Sequence, residues 1–125
     1  MKLELPFPEI ENYIKTTYKL DVKITYCETN KIEVDYLFKI GVTIKEVNDF
    51  NILLGYELNW AANMLAKSAK FMTNDSIDND ILHWDTSKKE IKLFLNKVSA
   101  LDDFLKVFKI SKFTFDNNQL LLELI

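Results

Sequence analysis

The sequence predicts a single α+β domain over residues 1–125, in which a curled, mostly antiparallel sheet is covered on one face by two to three helices. Three observations favour this class. Apolar and polar side chains alternate strictly over residues 31–47, several shorter alternating segments are joined by polar turns, and three segments repeat apolar residues at helical spacing. The predicted order of elements is α-βββ-α-ββ-α-ββ.

The chain opens with an extended lead-in over residues 1–8, because Pro6 and Pro8 both favour extended backbone before them. Pro8 also suits the first turn of a helix, where a missing N–H is not needed. Apolar residues then recur at helical spacing, which predicts a first helix over about 9–19. A short alternating strand over 21–27 follows it.

The longest predicted strand is 32–44, within the stretch 31–47, and its even-numbered residues from Ile32 to Ile44 are all apolar. About thirteen residues at about 3.3 Å each would span roughly 43 Å. A helix of about thirteen residues is only roughly 20 Å long, so the helices would cover about half of this apolar face. A third strand over 50–58 completes a meander of antiparallel strands.

The second half of the chain predicts a helix between two strand pairs. Asn59 is a good N-cap for a second helix. Ser99 and Asp102 resemble a capping box for a third helix. Asn tolerates positive φ, so Asn117 and Asn118 indicate a hairpin turn. The predicted elements are a helix over 60–72, a polar loop over 73–80, strands over 81–85 and 90–95, a helix over 100–108, and strands over 110–116 and 119–125.

Composition excludes several classes of function. Apolar residues make up 48% of the chain and the net charge is −3, which is a globular composition. All sixteen cationic residues are lysine, and a mildly acidic chain without arginine is a poor nucleic-acid binder. No signal peptide or membrane span is visible, so we expect a cytoplasmic protein without a transmembrane segment. No sequence motif indicates a cofactor.

No residue pattern indicates an enzyme or a metal site. His83 has Asp85 two residues on, an arrangement that suits a general base, but no nucleophile signature lies near it. Cys27 lacks a local motif, which favours an inert thiol. The acidic loop around Asp75, Asp78 and Asp80 lacks the glycine of an EF-hand and indicates a solvated loop. We therefore predict a non-enzymatic domain that holds no metal ion.

The long apolar face leaves three alternatives open. The overhang is packed back onto the core by twist and by a bend at Gly41, or it lines a gutter for a lipid or other apolar ligand, or it is covered by a second copy or a protein partner. The first functional hypothesis is the apolar ligand, and the alternative is an interaction or assembly module such as a homodimer or a subunit of a complex. The predicted lining is Tyr36, Phe38, Ile40, Phe50, Ile52, Tyr56, Trp60, Met64 and Phe104.

The pattern of long alternating strands, a helix that opens with Trp60, short strand pairs and a further helix resembles a known group. From NWAANMLAKSAKFM through KISKFTFDNNQLLLELI, about half the chain is similar to the curled-sheet tubular lipid-binding (TULIP-like) domains. This resemblance rests on pattern, without a diagnostic motif. It implies lipid or apolar-ligand binding and transfers no catalytic residue.

Overall fold

A computed structural model describes residues 1–36, 38–58 and 80–125, with the side chains of Phe38 and Leu58 left undescribed. These residues form nine strands, one α-helix and two 3₁₀ turns. Their bounds are β1 Lys2–Pro6, α1 Phe7–Tyr18, β2 Lys23–Glu28, β3 Lys31–Tyr36, β4 Phe38–Val47, β5 Asn51–Leu58, β6 Leu82–Asp85, β7 Glu90–Phe94, 3₁₀ turns Leu95–Lys97 and Phe104–Lys106, β8 Ile110–Asp116 and β9 Gln119–Leu124.

The strands form two antiparallel sheets, so the predicted α+β class with a single curled sheet and two to three helices is wrong. Six strands pair in the order β2-β3-β4-β5-β7-β6, and three pair in the order β1-β9-β8. Among the described residues, α1 is the only α-helix. The fold is therefore mostly β in the part of the chain that the structure describes.

The predicted long strand over 31–47 is a hairpin. Strands β3 and β4 pair antiparallel, with Val34 opposite Ile40 and Tyr36 opposite Phe38, so the chain reverses between the last two residues. Residues directly opposite each other share a face of the sheet. Because even-numbered residues here pair with even-numbered residues, the alternation continues through the reversal as if the strand were straight. The sequence predicted correctly which residues form the apolar face, but it overestimated the length of the strand that carries them.

The first predicted helix is confirmed as α1, but the third is wrong. Residues 100–108 form turns that include a 3₁₀ turn and no α-helix. Val107 N–H donates to Phe104 O at 3.2 Å, and single α-type bonds of 3.1 and 2.8 Å join Leu105 N–H to Leu101 O and Phe108 N–H to Phe104 O. The Ser99 hydroxyl does not cap a helix, because it forms a hydrogen bond of 2.7 Å with the Tyr13 hydroxyl of α1. The second predicted helix, over 60–72, lies outside the described residues.

The predicted extended lead-in is strand β1, which pairs with the last strand, β9. The remaining predicted strands are confirmed within one or two residues at each end. The hairpin turn between β8 and β9 is also confirmed, since Asn117 has a φ of 53°. Asn accepts this left-handed backbone more readily than most residues.

One hydrophobic core joins the two sheets. Both contribute fully buried side chains, including Ile52 from the six-stranded sheet and Leu122 and Leu124 from the three-stranded sheet. Strand β8 is tied to turns of the larger sheet, because Phe115 N–H donates to Thr29 O and Ile110 N–H donates to Asp49 O, both at 2.8 Å. The smaller sheet therefore lies across the ends of strands β2 to β5.

Two outer strands have protected edges. Every second residue of β1 is hydrogen-bonded to β9, and the residues between them direct their N–H and C=O groups outward. Leu124 N–H donates to Met1 O, and Phe7 N–H donates to Asn118 O. Pro6 therefore occupies an outward position, where it has no N–H to offer a further strand. On the edge strand β2, the Ile24 N–H donates to the Glu11 carboxylate of α1 at 2.7 Å. Both edges resist the addition of another strand at these positions.

Candidate interaction surface

The six predicted ligand-lining residues whose side chains the structure describes divide between the core and the surface. Ile40, Ile52 and Tyr56 are buried in the core, where other side chains pack against them, whereas Phe50 and Phe104 are exposed. Tyr36 is half-buried. The side chains of Phe38, Trp60 and Met64 lie outside the described part of the structure. The gutter was inferred from one long strand, and that strand does not exist, so the ligand hypothesis stays a prediction without this geometric basis.

Two surface clefts formed by described residues are lined mainly by polar and charged residues. The first, of about 570 Å³, lies on the outer face of the larger sheet over Gly55 and is lined by Lys45, Lys88, Lys89 and other residues. The Lys45 side chain crosses Gly55, where a Cβ atom would lie 2.9 Å from its Cε, and its Nζ lies 3.0 Å from Glu90 Oε2. The cleft is therefore partly filled by an ion pair. The second, of about 520 Å³, follows the polar side of α1.

His83 and Asp85 do not form a catalytic pair. Asp85 Oδ1 accepts hydrogen bonds from the Ser87 hydroxyl at 2.7 Å and from the Ser87 and Lys88 N–H groups at 3.2 Å. The hydroxyl of Ser87, followed by the N–H of Lys88, lowers the pKa of Asp85. His83 is exposed and its ring lies 4.8 Å from that of Phe94. The Asp85 carboxylate thus orders a turn.

A buried tyrosine lies near this turn. The ring of Tyr56 packs edge-to-face on Trp84, with centroids 5.0 Å apart. Burial, and then the negative charge of Asp85, raise the pKa of Tyr56. Both effects favour the neutral phenol, so Tyr56 is a core side chain and is not poised as an acid or base near neutral pH.

The remaining predicted polar sites gain no chemistry from the structure. Cys27 is an exposed free thiol. Asp80 is exposed, and the rest of the acidic loop lies outside the described residues. Within residues 1–36, 38–58 and 80–125, no three His, Cys, Asp or Glu side chains come together as a metal site.

The turn between β4 and β5 presents two apolar side chains to solvent. A β-bulge between Ile44 and Glu46 shifts the register, so Val47 lies opposite Ile52 at the end of the sheet. The turn is held by Asn48, whose N–H donates to Asn51 O and whose side-chain amide donates to Asn51 Oδ1, both at 2.9 Å. Val47 and Phe50 are each 37% exposed beside this turn.

The segment from Leu95 to Lys109 presents two more apolar side chains to solvent. Leu95 and Leu105 are each only 5% exposed and anchor the two 3₁₀ turns to the core. Between and after these anchors, Phe104 is 40% exposed and Val107 is 78% exposed. Two buried leucines thus hold a short, tightly turned segment that turns two of its large apolar side chains to solvent.

Backbone hydrogen bonds bring these two regions to one end of the molecule. Leu95 N–H donates to Phe50 O at 3.1 Å, and Ile110 N–H donates to Asp49 O at 2.8 Å. Lys109 Nζ also lies 3.9 Å from Asp49 Oδ2. Both ends of the 95–109 segment are therefore fastened to the β4–β5 turn.

We call the exposed side chains of Val47, Phe50, Phe104 and Val107 the apolar end. In the described part of the chain two other large apolar side chains are exposed, Met1 and Ile125, and Ile125 is joined to Lys109 by two backbone hydrogen bonds of 2.7 and 2.8 Å. Single exposed apolar residues are common on soluble proteins, but a group gathered in one place marks an interaction site more often. This surface is the strongest functional candidate in the described residues.

Sequence reasoning found only part of this surface. It named Phe50 and Phe104, but as the lining of a ligand gutter. Val107 lies off the apolar stripe of the predicted third helix, which agrees with its exposure, but nothing in the sequence placed it on the same surface as Phe50. Val47 was predicted to begin the turn after the long strand, whereas it is the last residue of β4, and the bulge that places it opposite Ile52 leaves no sequence signal.

Comparisons with known proteins identify no relative. No family model, no curated protein and no solved structure matches the chain. The resemblance to tubular lipid-binding domains therefore stays a prediction. Among the helices in the described ranges, none has the length and apolar character needed to cross a bilayer.

Proposed function

We propose that this chain is a protein–protein contact module that docks through its apolar end. The observation that carries the proposal is the exposure of Val47 and Phe50 beside the β4–β5 turn, and of Phe104 and Val107 on a segment whose two ends are hydrogen-bonded to that turn. Fully burying an apolar side chain of this size is worth about 1.5–3 kcal/mol. Covering the exposed parts of four such side chains would offset much of the cost of association, which is about 4–15 kcal/mol.

The surface is also held in place before any partner arrives. Buried Leu95 and Leu105 fix the 3₁₀ turns, and the paired Asn48 and Asn51 fix the β4–β5 turn. A surface that is already ordered loses less conformational entropy on binding than a mobile one. The exposed apolar groups are thus presented on a rigid support, as in contact surfaces that use few anchoring side chains.

Site-specific photocrosslinking tests the proposal. The photoreactive residue p-benzoylphenylalanine is placed at position 107, or at position 88 as a matched control on an exposed polar turn, in the full chain expressed in its source cells. Irradiation is expected to give one discrete adduct from position 107 and none from position 88. Adding Phe104→Lys to the position 107 variant is expected to remove the adduct.

Two results would overturn the proposal. One is the absence of any discrete adduct from position 107, and the other is the same set of adducts from positions 107 and 88. The mass of the adduct carries separate information, because it reports whether the partner is this chain or another protein.

A further inference from the structure

The charges around the apolar end restrict what kind of partner fits. Residues 47–50 and 97–109 together carry three aspartates and three lysines, so the local formal charge is zero, whereas the whole chain carries −3. A partner of strongly acidic or basic character, or an anionic membrane surface, would be attracted by a surface of net opposite charge. The surface around the apolar end has no net charge to attract such a partner.

The charges form two loose pairs. Lys109 Nζ lies 3.9 Å from Asp49 Oδ2, and Lys106 Nζ lies 3.2 Å from Asp103 Oδ1. All four side chains are more than 60% exposed, and exposed pairs of this kind are worth at most about 1 kcal/mol each. Each lysine can therefore exchange its aspartate for one on another molecule at little cost.

We infer that the apolar end binds a second copy of this chain, in a two-fold arrangement; this rests on the proposed function. A two-fold contact places the same surface on both sides, so the surface must be complementary to itself. A group of apolar side chains bordered by equal numbers of both charges meets that condition, because the aspartates of one copy face the lysines of the other. Because the surface is locally neutral, it adds no further repulsion to that between two chains of net negative charge.

Two of the edge strands, β1 and β2, disfavour pairing of strands between molecules at one position each. Pro6 leaves β1 without an outward N–H at that position, and the Glu11 carboxylate occupies the outward N–H of Ile24 on β2. A second copy therefore gains no backbone hydrogen bonds at these positions. Contact through side chains at the apolar end does not depend on backbone hydrogen bonds.

Charge reversal provides a sharp test. One variant carries Asp49→Lys and Asp103→Lys, which makes the surface positive, and the other carries Lys106→Glu and Lys109→Glu, which makes it negative. Sedimentation equilibrium of the wild-type chain between about 1 μM and 1 mM, the range of weak homodimers, is expected to show a dimer. Each variant alone is expected to raise the dimer Kd by at least about tenfold, and an equimolar mixture is expected to restore it as a heterodimer.

Lys88→Glu with Lys89→Glu is the matched control, because it makes the same charge change as the negative variant on the turn at the other end of β7. It is expected to leave the dimer Kd unchanged. If a double variant fails to fold by circular dichroism, the single variants Asp49→Lys and Lys109→Glu repeat the mixing experiment.

A wild-type chain that stays monomeric over this range, or a mixture that recovers no association, would overturn the inference. An adduct from position 107 whose mass is not twice that of the chain would overturn it as well, while leaving the contact function in place. Absence of any adduct from position 107 would count against the contact function itself.

Discussion

The connections before and after strand β7 are stabilised in different ways. Before Glu90, the turn from β6 is polar and is held by the Asp85 carboxylate, which accepts three hydrogen bonds from the turn itself. After Phe94, the chain enters the 95–109 segment, which is held by two buried leucines and by backbone bonds to the β4–β5 turn. One connection is stabilised by its own polar groups, and the other by the core beneath it.

This difference explains why only one of the two is a candidate contact surface. A turn stabilised by local hydrogen bonds can expose polar residues alone, as Thr86 to Lys89 do. A segment stabilised by insertion of leucines must be rich in apolar residues, and in a segment this short they do not all reach the core. The side chains left over, Phe104 and Val107, become available to a partner.

The largest expected effect concerns the anchor of the apolar connection. Leu105→Ala is expected to lower the free energy of unfolding by about 2–5 kcal/mol, because it removes a buried side chain and leaves a cavity. Val107→Ala, two residues away and 78% exposed, is the control and is expected to change it by less than about 0.5 kcal/mol. Urea unfolding measures both, and equal losses would show that the segment is not divided into anchor and surface.

A smaller effect is expected from the backbone of the polar turn. Lys89 has a φ of 53°, a left-handed conformation that costs a residue other than glycine about 1–2 kcal/mol. Lys89→Gly is expected to raise the free energy of unfolding by up to about 1 kcal/mol, since the greater freedom of glycine in the unfolded chain offsets part of the gain. The adjacent Lys88→Gly gains no such relief, and thermal unfolding should show a small loss.

The smallest effect is expected from the charge of Asp85. Its pKa is lowered in the folded state, first by the Ser87 hydroxyl, so its stabilising contribution is present above the pKa of the unfolded chain and is lost as pH falls through the folded-state pKa. Asp85→Asn keeps an acceptor oxygen but removes the charge. The Tm of the wild-type chain is expected to exceed that of Asp85→Asn at neutral pH, and the gap is expected to close below about pH 4.

The matched variant for this prediction is Ser87→Ala, which removes the main cause of the lowered pKa. In the Ser87→Ala background, the change in Tm caused by Asp85→Asn is expected to depend less on pH. A gap that persists unchanged at acidic pH would show that the carboxylate charge does not stabilise the turn.

The sequence predicted which faces of the strands are buried more reliably than where the strands end. Ile32, Ile40 and Val42 all lie on the core side, as their alternation indicates. The reversal between Tyr36 and Phe38 was missed because a hairpin that pairs even with even residues keeps the alternation in phase. The local sequence, Tyr-Leu-Phe, also lacks the glycine, asparagine or proline that would indicate a turn.

Helical spacing was less reliable than alternation. The apolar residues of 100–108 recur as on a helix, and Leu101, Leu105 and Phe108 pack against the core, yet the segment forms turns and Phe104 is exposed. A short segment forms a helix only when tertiary packing supports it. The tertiary contacts here favour two tight turns, and the exposure of Phe104 and Val107 follows from them and from no pattern in the sequence.

The protection of strands β1 and β2 has a consequence for the size of any assembly. Sheets that accept further strands lengthen without limit, because every added chain offers a fresh edge of its own. Pro6 and the Glu11 carboxylate remove that route at their positions, whereas a two-fold contact is used up once two copies have met. At these two edges, the proposed two-fold contact would give a particle of fixed size where added strands would give a fibre.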